Sequence, residues 1–141
     1  MKTLIEFLKE SLNEGDPKQL NGFAILKPGF LEYEDEWKDL ISKTFGWDIV
    51  RCNKVKLSPE QAAELYSPHK DKDFYKDLCD YMCSDDCICC TCQKDCKDPI
   101  EDMKRIKDKV REKWGIDDMK NAMHSSDSLE NVDRESKICL K

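Results

Sequence analysis

Apolar residues recur along this chain in two rhythms, one of three to four residues and one close to two. Leu4, Ile5, Leu8 and Leu12, with Phe7 beside them, mark a short amphipathic helix that stops near Gly15-Asp16-Pro17. That helix is an added element over residues 1–20, ahead of a domain over residues 21–141. Phe23-Ala24-Ile25-Leu26 is too short for a buried helix and predicts a buried strand, which Lys27-Pro28-Gly29 ends in a turn. From Glu32 to Phe45, Trp37, Leu40, Ile41 and Phe45 share a helical face, and Gly46 suits the exit. Trp47 to Leu57 alternates in part and is rich in Val and Ile, as a strand is. Ser58-Pro59-Glu60-Gln61 combines an N-cap, a proline at the first helical position and a Gln that can close a capping box. The helix it opens runs to about Tyr66, and a second follows from about Asp71 to Cys83. Cys87 to Cys92 predicts a strand. Asp98-Pro99 starts a helix to about Lys109, and Ser128 caps a last one from Leu129 to Glu135, before the apolar tail Ile138-Cys139-Leu140. Helices alternating with strands predict an α/β or α+β sandwich, helices on a small sheet.

Composition narrows the partners. The chain has 141 residues, enough for one core, and 38% of them are charged. The net charge of -6 argues against nucleic acid as the main partner, since phosphate backbones favour a basic face. No apolar run approaches the roughly 20 residues of a membrane span, and the N-terminus lacks the continuous apolar stretch of a signal peptide. The expected setting is therefore the cytoplasm, away from membranes, with the nine cysteines as free thiols. Cys87-Ile88-Cys89-Cys90-Thr91-Cys92 nevertheless holds two interleaved CxxC spacings, so a metal or redox module is a competing reading.

Candidate chemistry gathers at three places. Asn121-Ala122-Met123-His124-Ser125-Ser126-Asp127-Ser128 surrounds one of only two histidines with small and hydroxyl side chains. Neutral imidazole is a nucleophile near pH 7, and Ser126 and Asp127 are candidates to support it; without other signals, a surface loop is the plainer reading of the segment. Lys104, Arg105, Lys107, Lys109, Arg111 and Lys113 reverse the sign of an acidic chain, either as a solvated helix face or as a phosphate clamp. Tyr66, His69, Lys72, Phe74 and Leu78 form a mixed set, in which Phe74 and Leu78 share a helical face and could pack in the core or clip a flat ring.

Taken together, these segments resemble the nucleoside diphosphate kinase family from about Asn21 to Leu140. Phe23-Ala24-Ile25-Leu26-Lys27-Pro28 resembles its first strand and phosphate-binding lysine. Leu57-Ser58-Pro59-Glu60-Gln61-Ala62 with Tyr66-Ser67-Pro68-His69-Lys70-Asp71-Lys72-Asp73-Phe74 resembles its nucleotide-binding hairpin, and Tyr81-Met82-Cys83-Ser84 the hairpin's end. The Asn121–Ser128 segment is similar to its phosphohistidine motif, with Arg111 ten residues before Asn121 and Glu135 eleven after His124. The resemblance implies a ferredoxin-like four-stranded antiparallel sheet covered by helices. It implies a ping-pong phosphoryl transfer between nucleoside tri- and diphosphates, ATP as donor, Mg²⁺ on the bound nucleotide and a homo-oligomer. His124 would be the nucleophile, Glu135 its orienting carboxylate, and Lys27 a catalytic and phosphate-binding cation. Tyr66, Lys104 or Arg105, Arg111 and Asn121 would bind the nucleotide, whose base would lie on Phe74 and Leu78. Ser125 stands where the family usually has glycine, Ser84-Asp85-Asp86 replaces its Ser-Gly-Pro, and most of its long loop before the arginine is missing. A non-catalytic nucleotide-binding or scaffold domain of the same fold is the alternative.

Overall fold

A computed structural model describes residues 20–140; the expected N-terminal helix lies outside them. Four strands, β1 (Gly22–Leu26), β2 (Asp48–Val55), β3 (Cys87–Gln93) and β4 (Met123–Ser125), form one sheet in the order β2-β3-β1-β4. Each neighbouring pair is antiparallel. Helices α1 (Glu34–Asp39), α2 (Pro59–Leu65), α3 (Tyr75–Met82), α4 (Pro99–Trp114) and α5 (Leu129–Cys139) complete the ferredoxin-like α+β architecture.

Side-chain alternation divides the core between the two faces of the sheet. Phe23, Ile25, Cys87 and Cys89 pack with Leu65 of α2, Met82 of α3 and Val132 of α5. Ala24, Leu26, Ile88, Cys90 and Cys92 pack with Trp37 of α1 and with Met103, Ile106 and Val110 of α4. Both faces of β1 and β3 are thus covered, which is why these strands read as unbroken apolar runs. The same alternation sends successive cysteines to opposite sides. Among the described residues no cluster of three or more His, Cys, Asp or Glu could hold a metal.

The capping box forms as the sequence predicts: Gln61 N–H donates to Ser58 Oγ at 3.0 Å and Ser58 N–H to Gln61 Oε1 at 2.8 Å. Gly46 adopts a φ of +76° after a π-helical turn, Leu40–Thr44, that follows α1. Other expectations are corrected. α3 begins at Tyr75 rather than Asp71, because tight turns take the preceding residues: Lys72 N–H donates to the His69 carbonyl and Tyr75 N–H to that of Lys72. α4 passes Lys109 and reaches Trp114, since no breaker precedes Gly115. α5 absorbs Ile138 and Cys139 instead of ending at Glu135. The sulfurs of Cys52 and Cys90 lie against each other. The two residues are direct cross-strand partners between β2 and β3, a placement that brings two side chains close.

Gly22 is fixed by packing. A Cβ there would lie 2.7 Å from the Trp47 ring and 3.0 Å from the Met103 methyl. Trp47 is buried, with its indole N–H donating to Asp102 Oδ2 at 2.8 Å, so the ring cannot yield freely. A Gly22→Ala variant is expected to lose about 1–3 kcal/mol, read as a lower urea midpoint at unchanged slope.

Candidate functional site

The edge strand β4 carries His124, and the sheet rather than a surface loop holds it. Its three residues escape a periodicity reading because they are too few, and Ser125 breaks the apolar pattern. Pairing with β1 sets Ile25 opposite His124 and Ala24 opposite Ser125. The chain enters β4 through a tight return after α4, where Asp117 Oδ1 accepts the N–H groups of Met119 and Lys120 at 2.9 and 2.7 Å. Ala122 then takes a φ of +80° while fully buried, and its carbonyl accepts the Lys27 N–H at 2.8 Å.

His124 Nε2 and Glu135 Oε1 are 2.7 Å apart. An ionised carboxylate only accepts, so Nε2 carries the proton and Nδ1 keeps its lone pair. Ser126 Oγ donates to the same Oε1 at 2.6 Å, and Arg134 Nη2 forms an ion pair with Oε2 at 3.5 Å. Burial works to raise the pKa of Glu135, but the bonds from His124 and Ser126 and the Arg134 charge outweigh it, so the carboxyl sits below its usual range. Tyr66 meets the imidazole edge-on, with centroids 5.6 Å apart. The Tyr66 hydroxyl is buried without a partner among the described residues, and burial followed by the Glu135 charge raises its pKa.

His124 lies on the wall of a cleft of about 510 Å³. Lys27, at the end of β1, extends into it and donates to the Met119 carbonyl at 3.3 Å. Burial, then the Arg111 and Lys107 charges, brings the Lys27 pKa down to about 7. Arg111 donates from Nε and Nη2 to the Met123 carbonyl at 3.2 and 3.1 Å, tying α4 to β4 next to His124. Asn121 Nδ2 donates to the Asp118 carbonyl at 2.7 Å, leaving Oδ1 buried and unpartnered among the described residues. Tyr66, Phe74, Leu78 and Asp127 also line the cleft. Phe74 is 46% exposed and Leu78 is buried, which suits a ring at the mouth and an apolar floor.

Lys104 and Arg105 do not line the cleft; Lys107 does. Helical geometry explains this, because Lys107 is one turn from Arg111 whereas Arg105, six residues away at about 100° each, faces elsewhere. Lys104 lies a further turn along and pairs with Asp108 at 3.4 Å. Ser126 is buried and bonded to Glu135, and Ser125 adds to the cleft wall. Sequence reading passed over Asp118, Met119 and Arg134. None belongs to a periodic pattern, and only the closure of the return and the approach of α5 to α2 bring them to the site.

Known proteins place this arrangement. The family model for nucleoside diphosphate kinase matches residues 21–141. A nucleoside diphosphate kinase of Fervidobacterium nodosum is 32% identical over 130 residues, covering 82% of this chain and 85% of its own. The human nucleoside diphosphate kinase homolog 5 is 29% identical over 79% of this chain and 58% of its own. A thioredoxin domain-containing protein 6 of Xenopus laevis is 29% identical over 86% of this chain. The chain spans 22% of the length of that frog protein and little more than half that of the human one. Among solved structures, a nucleoside diphosphate kinase of Aquifex aeolicus superposes with a TM-score of 0.71 at 26% identity, covering 83% of this chain and 92% of its own. With its sheet, helices and sequence matched over residues 21–141, this chain belongs to the nucleoside diphosphate kinase family.

Proposed function

We propose that this chain is a working phosphotransferase, a nucleoside diphosphate kinase that passes the γ-phosphate of a nucleoside triphosphate to a nucleoside diphosphate by way of phosphorylated His124. The observation that carries this reading is the 2.7 Å bond between His124 Nε2 and Glu135, on a cleft that also holds Lys27, Lys107 and Arg111. A proton fixed on Nε2 leaves Nδ1 as the only ring nitrogen with a free lone pair. Nδ1 attacks the γ-phosphorus, the N–P bond forms, the bond to the bridging oxygen breaks, and the diphosphate departs with that electron pair. Glu135 balances the positive charge the ring acquires. A second diphosphate then takes the phosphoryl group by the reverse step. No general base is required, and positioning and charge neutralisation lower the barrier.

Lys27, Lys107 and Arg111 would meet the phosphates, Asn121 the sugar, and Phe74 over Leu78 the base. Tyr66 would place its hydroxyl beside the reacting centre. The lining has three cations and only two acidic side chains, Asp118 and Asp127. Magnesium would therefore come with the nucleotide, as the counter-ion of its phosphates. The kinase domain is taken as residues 21–141, with residues 1–20 as an extension. The test is incubation with γ-labelled ATP and Mg²⁺. The protein should take up acid-labile, base-stable label and surrender it to an added nucleoside diphosphate. Absence of label in the wild type would end the catalytic reading.

Lys27 gives a second expectation. With a pKa of about 7 in the free cleft, it is mostly neutral at pH 8, and an arriving polyphosphate favours its charged form. Binding at pH 8 should therefore take up about one proton, and the uptake should fade toward pH 6, where Lys27 already holds it. Calorimetric titration in buffers of different ionisation enthalpy measures this, and Lys27→Met should abolish it.

A further inference from the structure

We infer that Arg134 is a positioning residue, whose guanidinium ties the end of α2 to the Glu135 carboxylate and so holds the hairpin and the His124–Glu135 pair in one arrangement. This rests on the phosphotransferase reading for its kinetic consequence, though not for its structural one.

Arg134 follows the capped start of α5, and its side chain reaches across to a second helix. Nη1 donates to the Glu64 carbonyl at 2.9 Å and Nη2 to the Leu65 carbonyl at 3.3 Å. Nε donates to Asn131 Oδ1 at 3.1 Å, which sets the plane of the fork. Nη2 also stands 3.5 Å from Glu135 Oε2. Glu64 and Leu65 close α2, so their carbonyls lie at the negative end of the helix dipole, where that of Glu64 also accepts the capping Tyr66 N–H. One planar cation thus serves two helix-end carbonyls and the carboxylate that holds the imidazole. Tyr66 is the next residue after those carbonyls, and it meets His124 edge-on. A shift of α2 against α5 would change where the Tyr66 ring and the Glu135 oxygens stand relative to each other at the imidazole.

Lysine cannot reproduce this. It brings a point charge without a fork, so it can keep the charge beside Glu135 or the carbonyl bonds, not both. The titratable groups that face Glu135 are His124 on β4 and Tyr66 after α2, and the cation beside it is Arg134 on α5 itself. Removing the Arg134 charge leaves the bonds from His124 and Ser126 in place and takes away the only cation at Oε2 among the described residues.

Three proteins decide the matter: wild type, Arg134→Gln and Arg134→Lys. Carbon-13 NMR of the glutamate carboxylates follows Glu135 with pH, and steady-state assays follow transfer from ATP to a second nucleoside diphosphate. In Arg134→Gln the Glu135 midpoint should rise, and kcat/KM should fall about tenfold, with the acid limb of its pH profile moved upward. Arg134→Lys should keep the Glu135 midpoint near the wild-type value while KM for the nucleotide stays raised. The inference is overturned if Arg134→Gln melts normally and leaves both the Glu135 midpoint and kcat/KM unchanged. Should Arg134→Gln fail to fold, Arg134→Lys decides: wild-type KM overturns the inference and a raised KM with an unmoved midpoint supports it. If the wild type transfers no phosphate, the phosphotransferase reading falls, and the Glu135 midpoint in Arg134→Gln alone decides the role of Arg134.

Discussion

His124→Ala is expected to take up no label from γ-labelled ATP, and steady-state transfer should fall to background. The substitution removes Nδ1, the ring nitrogen that the Glu135 bond to Nε2 leaves with a free lone pair. His69 makes the test sharp, because it is the only other histidine and lines the same cleft. It stands 5.8 Å from the Phe74 ring at a tilt of 49°, with no carboxylate bonded to its ring among the described residues. His69→Ala should therefore label normally. His124→Ala also strips a partner from the buried Glu135, so a stability loss of about 1–3 kcal/mol is expected alongside. His124→Gln separates the two effects, since its amide can still donate toward Glu135 but cannot carry phosphate. Both variants should keep nucleotide binding, because Lys27, Arg111 and Phe74 remain. Equal labelling of His124→Ala and wild type would remove His124 from the mechanism.

Arg111→Ala should cost about 10²–10³ in kcat/KM. Two of its N–H groups hold the Met123 carbonyl, and the guanidinium has others to offer a phosphate. Its loss would remove charge where charge moves during transfer and would release β4 next to the nucleophile. Arg111→Lys should restore part of the phosphate term but not the double bond to Met123, so kcat should recover less than KM. An Arg111→Ala enzyme within threefold of wild type would show that Lys27 and Lys107 suffice for the phosphates.

The elements that could be read from sequence are those in which one period dominates. β1 and β3 read as strands because helices cover both their faces, and α2 because its capping box is written in four residues. β4 could not be read that way, and its presence followed only from the resemblance. The site divides similarly. The resemblance singles out Lys27 and His124, which line the cleft, and Glu135, which is bonded to the imidazole. Lys107 rather than Lys104 or Arg105 lines the cleft, and a run of basic residues does not say which helical face turns inward. Arg134 was invisible, because its partners are backbone carbonyls 69 and 70 positions away, and carbonyls leave no mark in a sequence. The meeting of Cys52 with Cys90 is hidden for a related reason, since only strand register brings them together.

Ala122 has a consequence for anyone seeking a sturdier form of this protein. A left-handed alanine costs the backbone roughly 1 kcal/mol that glycine would not, while its buried methyl contributes about 0.8 kcal/mol that glycine would forfeit. The two nearly cancel, so replacement by glycine offers no thermal gain at this position. What would change is the freedom of the backbone at the threshold of β4, where the Lys27 amide bonds to Ala122 two residues before His124. Thermostabilising designs are better aimed elsewhere, with this one unfavourable torsion left in place as the fixed point from which His124 is aimed.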